Sequence, residues 1–398
     1  MPLPKIQYPT IFGDLDSRDL MDRPVAEVPQ PDLFDAIEKA AAIYSELATD
    51  VISILAETST VAKERFDANM LGGADTALLQ PRGEYGRVLA TQITQEQGAE
   101  NAFEVGYPIF AMADRGMFTP EFLLRATVRQ VNNKTVDAMI RDSNTLYRYV
   151  LDAAFQNDNY SFTDDKVLGQ NLGTYDVKRL LNADDIPGVF KKFDGTVVAL
   201  NTLNAYKVSG STVMTNSAFD IAHDYLTDLG MARDIVYLIS ASDQAAVRQL
   251  TNFVAFDPEP VGVTDPRIID PPPIAGTVVP NPRAIVQTQR SIGRMRAADA
   301  NSGEVIVLPW MFPGYIFAMD RSAEKPVVIR ESDLAQLRGF RLVSEDNMAP
   351  VIGGDKLIVN KFWQRVFGCG VRNRANGCIV QITNNALYTP PSTIFATV

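Results

Sequence analysis

The sequence predicts an α+β chain in which core-forming stretches alternate with segments that have no core of their own. Three observations predict it. A helical period runs through residues 119–156, a helix–strand–helix run spans about 216–254, and strand-like runs separated by turn residues fill most of the chain from EVIVLPW (304–310) onward. At 398 residues, of which 46% are apolar, the chain can bury a sizeable core, and two lobes or one domain with long extensions are expected.

The elements follow in order. Residues 1–31 are punctuated by Pro2, Pro4, Pro9, Pro24, Pro29 and Pro31 and read as an extended arm. Leu33, Ile37, Ala40, Tyr44, Leu47, Val51 and Ile54 then fall on four–three spacing, a narrow apolar seam with charges off it. Such a seam docks on one surface, either of its own chain or of another subunit. Gly72 and Gly73 are the expected end of this helical region. GEYGRVLATQIT and NAFEVGYPIFAM are β-prone and flank the polar turn QEQGAEN, so residues 75–117 read as a long hairpin. A hairpin of that length needs a surface to lie on. Thr119, Pro120 and Glu121 form a helix start, and the period continues to Phe155, with the weak helix formers Asp142, Ser143 and Asn144 as candidate breakers. After a mixed stretch with the strand-like TVVAL, a helix from Ser217, the strand IVYLIS and a helix from near Ser242 make an α/β lobe. Residues 258–282 are proline-rich and mark a loop. The expected divisions are 1–70, 71–118, 119–214, 215–310 and 311–398.

Composition narrows the chemistry. His223 is the single histidine, which excludes paired-histidine metal sites within one chain; on an amphipathic helix it reads as packed. Cys369 and Cys378 read as small buried residues on adjacent strands, with a cross-strand disulfide as the alternative. Asp14, Asp16 and Asp19 lack the glycine and glutamate spacing of a calcium loop. Phosphate-binding glycine loops and a nucleophile elbow are absent, so no catalytic residue, cofactor or metal is expected. No apolar run approaches the ~18 residues of a membrane span, and no secretion signal is recognisable. The net charge of -11 argues against nucleic-acid binding driven by net charge. From Lys356 onward, however, Lys356, Lys361, Arg365, Arg372 and Arg374 occur without an acid. They read either as a contact with an acidic neighbouring subunit or as a wall facing nucleic acid.

Two stretches, EVGYPIFAMADRGMFTPEFLLRATVRQVNNKTVDAMIRD and the pair RESDLAQLRGFRLVSEDN with FWQRVFGCGVRNRANGCIVQIT, together with the order of elements, resemble the major capsid proteins of tailed bacteriophages, a fold that encapsulins share. The resemblance covers roughly residues 70–385. It implies an N-terminal arm with its heptad-patterned helix (1–70), an extended β-hairpin loop (71–118), a peripheral domain on a spine helix (119–156), an α/β axial domain (215–310), and return strands completing both. It implies intersubunit contacts by Leu33, Ile37, Tyr44, Leu47 and Val51 and, on the loop tip, by Gln95, Glu96, Gln97 and Glu100. Lys361, Arg365, Arg372 and Arg374 would be the interface or DNA-facing cations. The partners implied are the chain itself in hexameric and pentameric capsomers, packaged double-stranded DNA held non-specifically, a portal and a decoration protein. The setting implied is the virion, assembled in host cytoplasm. Some members cross-link the shell through a loop lysine; here no lysine lies between Lys63 and Lys134, so no such bond is expected. Only about 70 residues precede the hairpin, so a separate scaffolding protein is expected. An encapsulin-like compartment and a carboxylate-using cytosolic enzyme are the alternatives.

Overall fold

The computed structural model describes residues 30–67, 102–118, 125–164, 173–184, 189–191, 196–255, 290–296, 302–344 and 359–391. The arm, Gly72 and Gly73, the outgoing strand GEYGRVLATQIT, the tip residues Gln95, Glu96, Gln97 and Glu100, the helix start at Thr119, and the proline-rich loop lie outside them. The described chain divides into two compact units. The larger one holds residues up to Asn204 and Glu324–Ala375; the smaller holds Ala205–Ala323 and Asn376–Thr389.

The larger unit begins with helix α1 (Gln30–Ile52). Its buried stripe is Ile37, Ala40, Ala41, Tyr44, Ala48, Val51 and Ile52. A strict seven-residue seam drifts around a straight helix of 3.6 residues per turn, so Ala48 takes the inward place and Leu47 is only half-buried. The helix stops about twenty residues before the expected glycines. Ser53 closes its last turn by donating from its Oγ to the Asp50 carbonyl at 2.7 Å, and Leu55 N–H reaches the Ile52 carbonyl at 3.0 Å. Strands β1 (Ala56–Ser59) and β2 (Lys63–Asp67) follow.

Strands β3 (Ala102–Gly106) and β4 (Phe110–Phe118) carry the return of the expected hairpin, but they belong to two sheets. β3 pairs antiparallel with β2, whereas β4 crosses to a long C-terminal strand, β17 (Val359–Val371). The break falls at Pro108, which has no N–H to give a ladder. Helix α2 (Val128–Phe155) has 28 residues and is about 42 Å long at ~1.5 Å per residue. Its N-cap is Thr127, whose N–H is held by the Gln130 side chain at 3.2 Å. It runs unbroken through Asp142, Ser143 and Asn144, and Ser143 Oγ bonds back to the Ile140 carbonyl at 2.9 Å.

The short antiparallel pairs β5 (Tyr160–Asp164) with β6 (Gly173–Val177), and β7 (Val189–Lys191) with β8 (Val197–Ala199), complete the first part of this unit. Its main sheet is built on β17. One edge pairs with β15 (Val327–Glu331) and then β16 (Arg341–Ser344); the other pairs with β4 over nine residues. β1 lies parallel against β15. α1 and α2 pack on each other, α1 on β16, and α2 on β17 and β15. Both helices therefore lie on one face of the sheet. Trp363, Arg365 and Phe367 of β17 point to that face: Trp363 stacks on Phe340, Arg365 meets Asp142, and Phe367 meets Tyr149 edge-on. The opposite face carries Gly368, where a Cβ would overlap the Pro108 carbonyl, so the β3–β4 corner can cross the strand at backbone contact.

The smaller unit is a seven-stranded mixed sheet in the order β11-β12-β13-β10-β14-β18-β9. Its strands are β9 (Tyr206–Val208), β10 (Ile235–Ser240), β11 (Phe253–Ala255), β12 (Arg290–Arg296), β13 (Ser302–Leu308), β14 (Tyr315–Asp320) and β18 (Cys378–Gln381). Helix α3 (Asn216–Asp228) packs on β14, β18 and β9, and the short α4 (Gln244–Arg248) lies by β11. β10 and β14 are buried at every residue, the mark of central strands covered on both faces. The unit is wider than the expected 215–310. β14 pairs with β10, and after finishing β17 in the larger unit the chain returns once more as β18, beside β14.

Candidate functional site

No enzyme-like constellation is present among the described residues: no group of three or more His, Cys, Asp or Glu is placed to hold a metal ion, and no helix is long and apolar enough to cross a membrane. His223 is 5% exposed on α3. Cys369 and Cys378 are free and buried, as expected, but they sit in different sheets, which removes both the adjacent-strand reading and the disulfide. Burial pushes the Cys378 thiol up to about 12 and raises that of Cys369 as well.

The most heavily braced feature is the root of the segment 68–101. The chain leaves from β2 and returns on β3, with Asp67 opposite Ala102, and Tyr107 N–H extends the ladder to the Ala62 carbonyl at 2.8 Å. Arg330, Tyr175 and Arg372 fix this root to the body of the unit. Arg330 of β15 donates to the Tyr107 carbonyl at 2.8 Å, to the Tyr175 hydroxyl at 2.9 Å and to Asp164 at 3.2 Å. Tyr175 donates to the same Tyr107 carbonyl at 2.7 Å. On the other side, the Tyr107 hydroxyl donates to Glu64 at 3.0 Å, and Arg372 holds Glu64 at 2.9 Å and Glu324 at 3.0 Å. Burial and the Glu64 charge raise the Tyr107 pKa, so the phenol stays a donor. Burial works against the Arg372 charge, but Glu324 and Glu64 outweigh it and its pKa rises. The arrangement does mechanical work: it sets the exit of a long segment without relying on that segment's own packing.

Two further buried cations brace the unit. Arg365 forms a short pair with Asp142 at 2.9 Å, and the Tyr44 hydroxyl donates to the same carboxylate at 2.9 Å, so α1, α2 and β17 meet at one point. Arg374, with no exposed side-chain surface, donates to the Arg179 carbonyl and to Asp184 at 2.6 Å. These contacts correct the reading of the C-terminal cations as a row facing nucleic acid or a neighbour. Arg365, Arg372 and Arg374 are spent on acids and carbonyls of their own chain, because a guanidinium enters a core only with its charge matched. Lys361 lies in β17, opposite Gly116. The seam is corrected likewise: Ile37, Tyr44 and Val51 are buried within the chain, Tyr44 edge-on against Phe340 of the β16 entry. Leu33 falls in the first turns of α1. Sequence reading missed Arg330, Tyr107, Tyr175 and Asp164; only the pairing of strands far apart in the chain unites them.

No protein-family model and no curated protein matches the chain. Among solved structures it is similar to a chain from Mycobacterium phage Patience, at 20% identity over 94% of each chain and a TM-score of 0.60. The chain shares the fold of that phage chain. Looser likenesses include the capsid of an empty GTA particle (13% identity, 84% of this chain and 90% of the other, TM-score 0.42) and the holo-SrpI encapsulin complex of Synechococcus elongatus (8%, 85% and 89%, 0.39).

Proposed function

We propose that this chain is a structural, non-enzymatic major capsid protein that assembles with itself into hexameric and pentameric capsomers of an icosahedral or prolate shell around packaged double-stranded DNA. The single observation that carries the reading is the likeness over 94% of both chains. The braced root supports it physically. A long β-prone hairpin needs a surface to lie on, and a segment held so firmly at its base is suited to lie across a neighbouring subunit, with Gln95, Glu96, Gln97 and Glu100 at the contact. The residues before α1 have the same need of an external surface. A separate scaffolding protein and a portal are the partners proposed with this role, a decoration protein being an optional addition, with assembly in the host cytoplasm.

Sedimentation and negative-stain microscopy of the purified full chain test the reading. Rings of five or six subunits, or closed shells in the megadalton range, are expected. A chain that stays monomeric or dimeric at every concentration overturns it.

A further inference from the structure

The two helices that lie on one face of the larger unit's sheet carry opposite charge on their exposed faces. On α1 the exposed residues include Asp35, Glu38, Glu46 and Asp50, with Lys39 as the one cation among them. None of these four carboxylates has a hydrogen bond or ion pair among the described residues. Ile43, 52% exposed, stands in their midst, and the face borders an open groove of about 830 Å³ lined also by Glu331, Arg338 and Arg341. On α2 the exposed residues include Arg129, Lys134, Arg141 and Arg148, with Asp137 as the one acid. Arg141 reaches Asp114 at 2.8 Å yet keeps two-thirds of its side-chain surface. The inner faces of these helices are used up by the Tyr44–Asp142–Arg365 junction, so only the outer faces are left for a partner.

We infer that the acidic outer face of α1 docks on the basic outer face of α2 of a second copy of this chain. The inference rests on the shell reading and names one of its subunit contacts. Each copy carries both halves of the contact on one side of one sheet, so the joint is heterologous, and repeating it by rotation closes a ring. DNA is the other polyanion α2 could meet. It is disfavoured because α1, which packs on α2 on the same face of the sheet, carries four exposed acids, and because the chain as a whole carries -11. At each such joint the acids of one copy's α1 meet the cations of the next copy's α2, so the charges complement each other. Contacts of this kind give register and on-rate more than raw affinity and weaken with salt, since screening acts over roughly 8 Å at physiological ionic strength.

Charge swaps in the full chain test it. The α2 pair Lys134→Glu with Arg148→Glu, and the α1 pair Glu38→Arg with Glu46→Arg, are compared with wild type for capsomer or shell formation by sedimentation, after circular dichroism has shown each to be folded. Each pair alone should raise the concentration needed for assembly at least tenfold, and the combined four-site variant should recover most of that loss. The neutral pair Lys134→Gln with Arg148→Gln, which adds no repulsion, should assemble less well than wild type at low salt and equally at high salt. Reversal pairs that assemble within twofold of wild type overturn the inference, as does a combined variant no better than the worse pair. An α2 pair that assembles normally but retains less DNA also overturns it and assigns the stripe to nucleic acid. In all of these outcomes wild type still assembles; a wild type that never does so overturns the shell reading itself.

Discussion

Asp142 shows how much one residue can organise. In sequence it is a weak helix former in the middle of a helical period. In the structure its carboxylate accepts from Tyr44 of α1 and Arg365 of β17, all three buried. Removing one partner of a buried pair leaves a desolvated charge behind, which typically costs about 3–5 kcal/mol. Asp142→Ala and Arg365→Ala should therefore each lower unfolding stability by about that amount in denaturant titration, whereas Arg148→Ala, on the exposed face, should stay within ~0.5 kcal/mol. Replacing both partners by apolar residues, as in Asp142→Leu with Arg365→Met, should recover much of the loss; a double variant as unstable as the sum of its parts would refute the ion-pair account. None of this was legible in the sequence. Arg365 and Asp142 stand 223 positions apart, and a cation read beside its chain neighbours alone looks like surface charge. The cysteines make a second test at this scale. With Cys378 pushed up to about 12 by burial and Cys369 also raised, thiolate is scarce at pH 8 and the sulfurs are shielded. Native protein should resist a maleimide for hours and label at two sites on unfolding; rapid native labelling would contradict the packing of β17 or β18.

At the level of elements, legibility followed the strength of the local pattern. β10 and α3 were readable because IVYLIS is an unbroken apolar run and the helix before it has a clear stripe closed by Gly230, whose φ of 70° only glycine adopts readily. β1 and β2 were not readable: AETS and KERFD have four and five residues and no alternation of apolar and polar, and they are strands only because β15 and β3 pair with them. The return strand is likewise divided at Pro108, with β3 paired to β2 and β4 to β17. The root at β2 and β3 inherits its stability from such distant partners, which makes it testable as a unit. Arg330→Ala removes three donations at once and leaves Asp164 buried without its cation. Hydrogen exchange at Val105 and Tyr107 should then speed by at least tenfold relative to β10, and the purified variant should assemble poorly while its smaller unit remains folded. Unchanged protection at Tyr107 would mean that the β2–β3 ladder, and not the arginine, holds the root.

For the whole molecule, the proposed shell raises the question of what would keep it closed. Each copy offers a braced loop root, an acidic and a basic helix face, and two units between which the chain passes more than once. Contacts of these kinds are individually reversible, and a closed shell gains its persistence from their number. A covalent lock of the lysine–asparagine type would need an amine on the extended segment or on the strands that carry it. Residues 64–133 contain no lysine, and Lys63 itself lies within 3.8 Å of Glu104 at the base of the ladder, where its charge is engaged by the adjoining strand. The nucleophile is therefore missing from the part of the chain that would reach a neighbour. Assembled particles boiled in detergent should run as a single monomer band, and the shell should come apart under non-reducing denaturants, since both cysteines are buried and free. A ladder of multimers on such a gel would show that a covalent bond forms elsewhere in the lattice. The persistence of the shell would then have to be reassigned from the number of weak contacts to that bond.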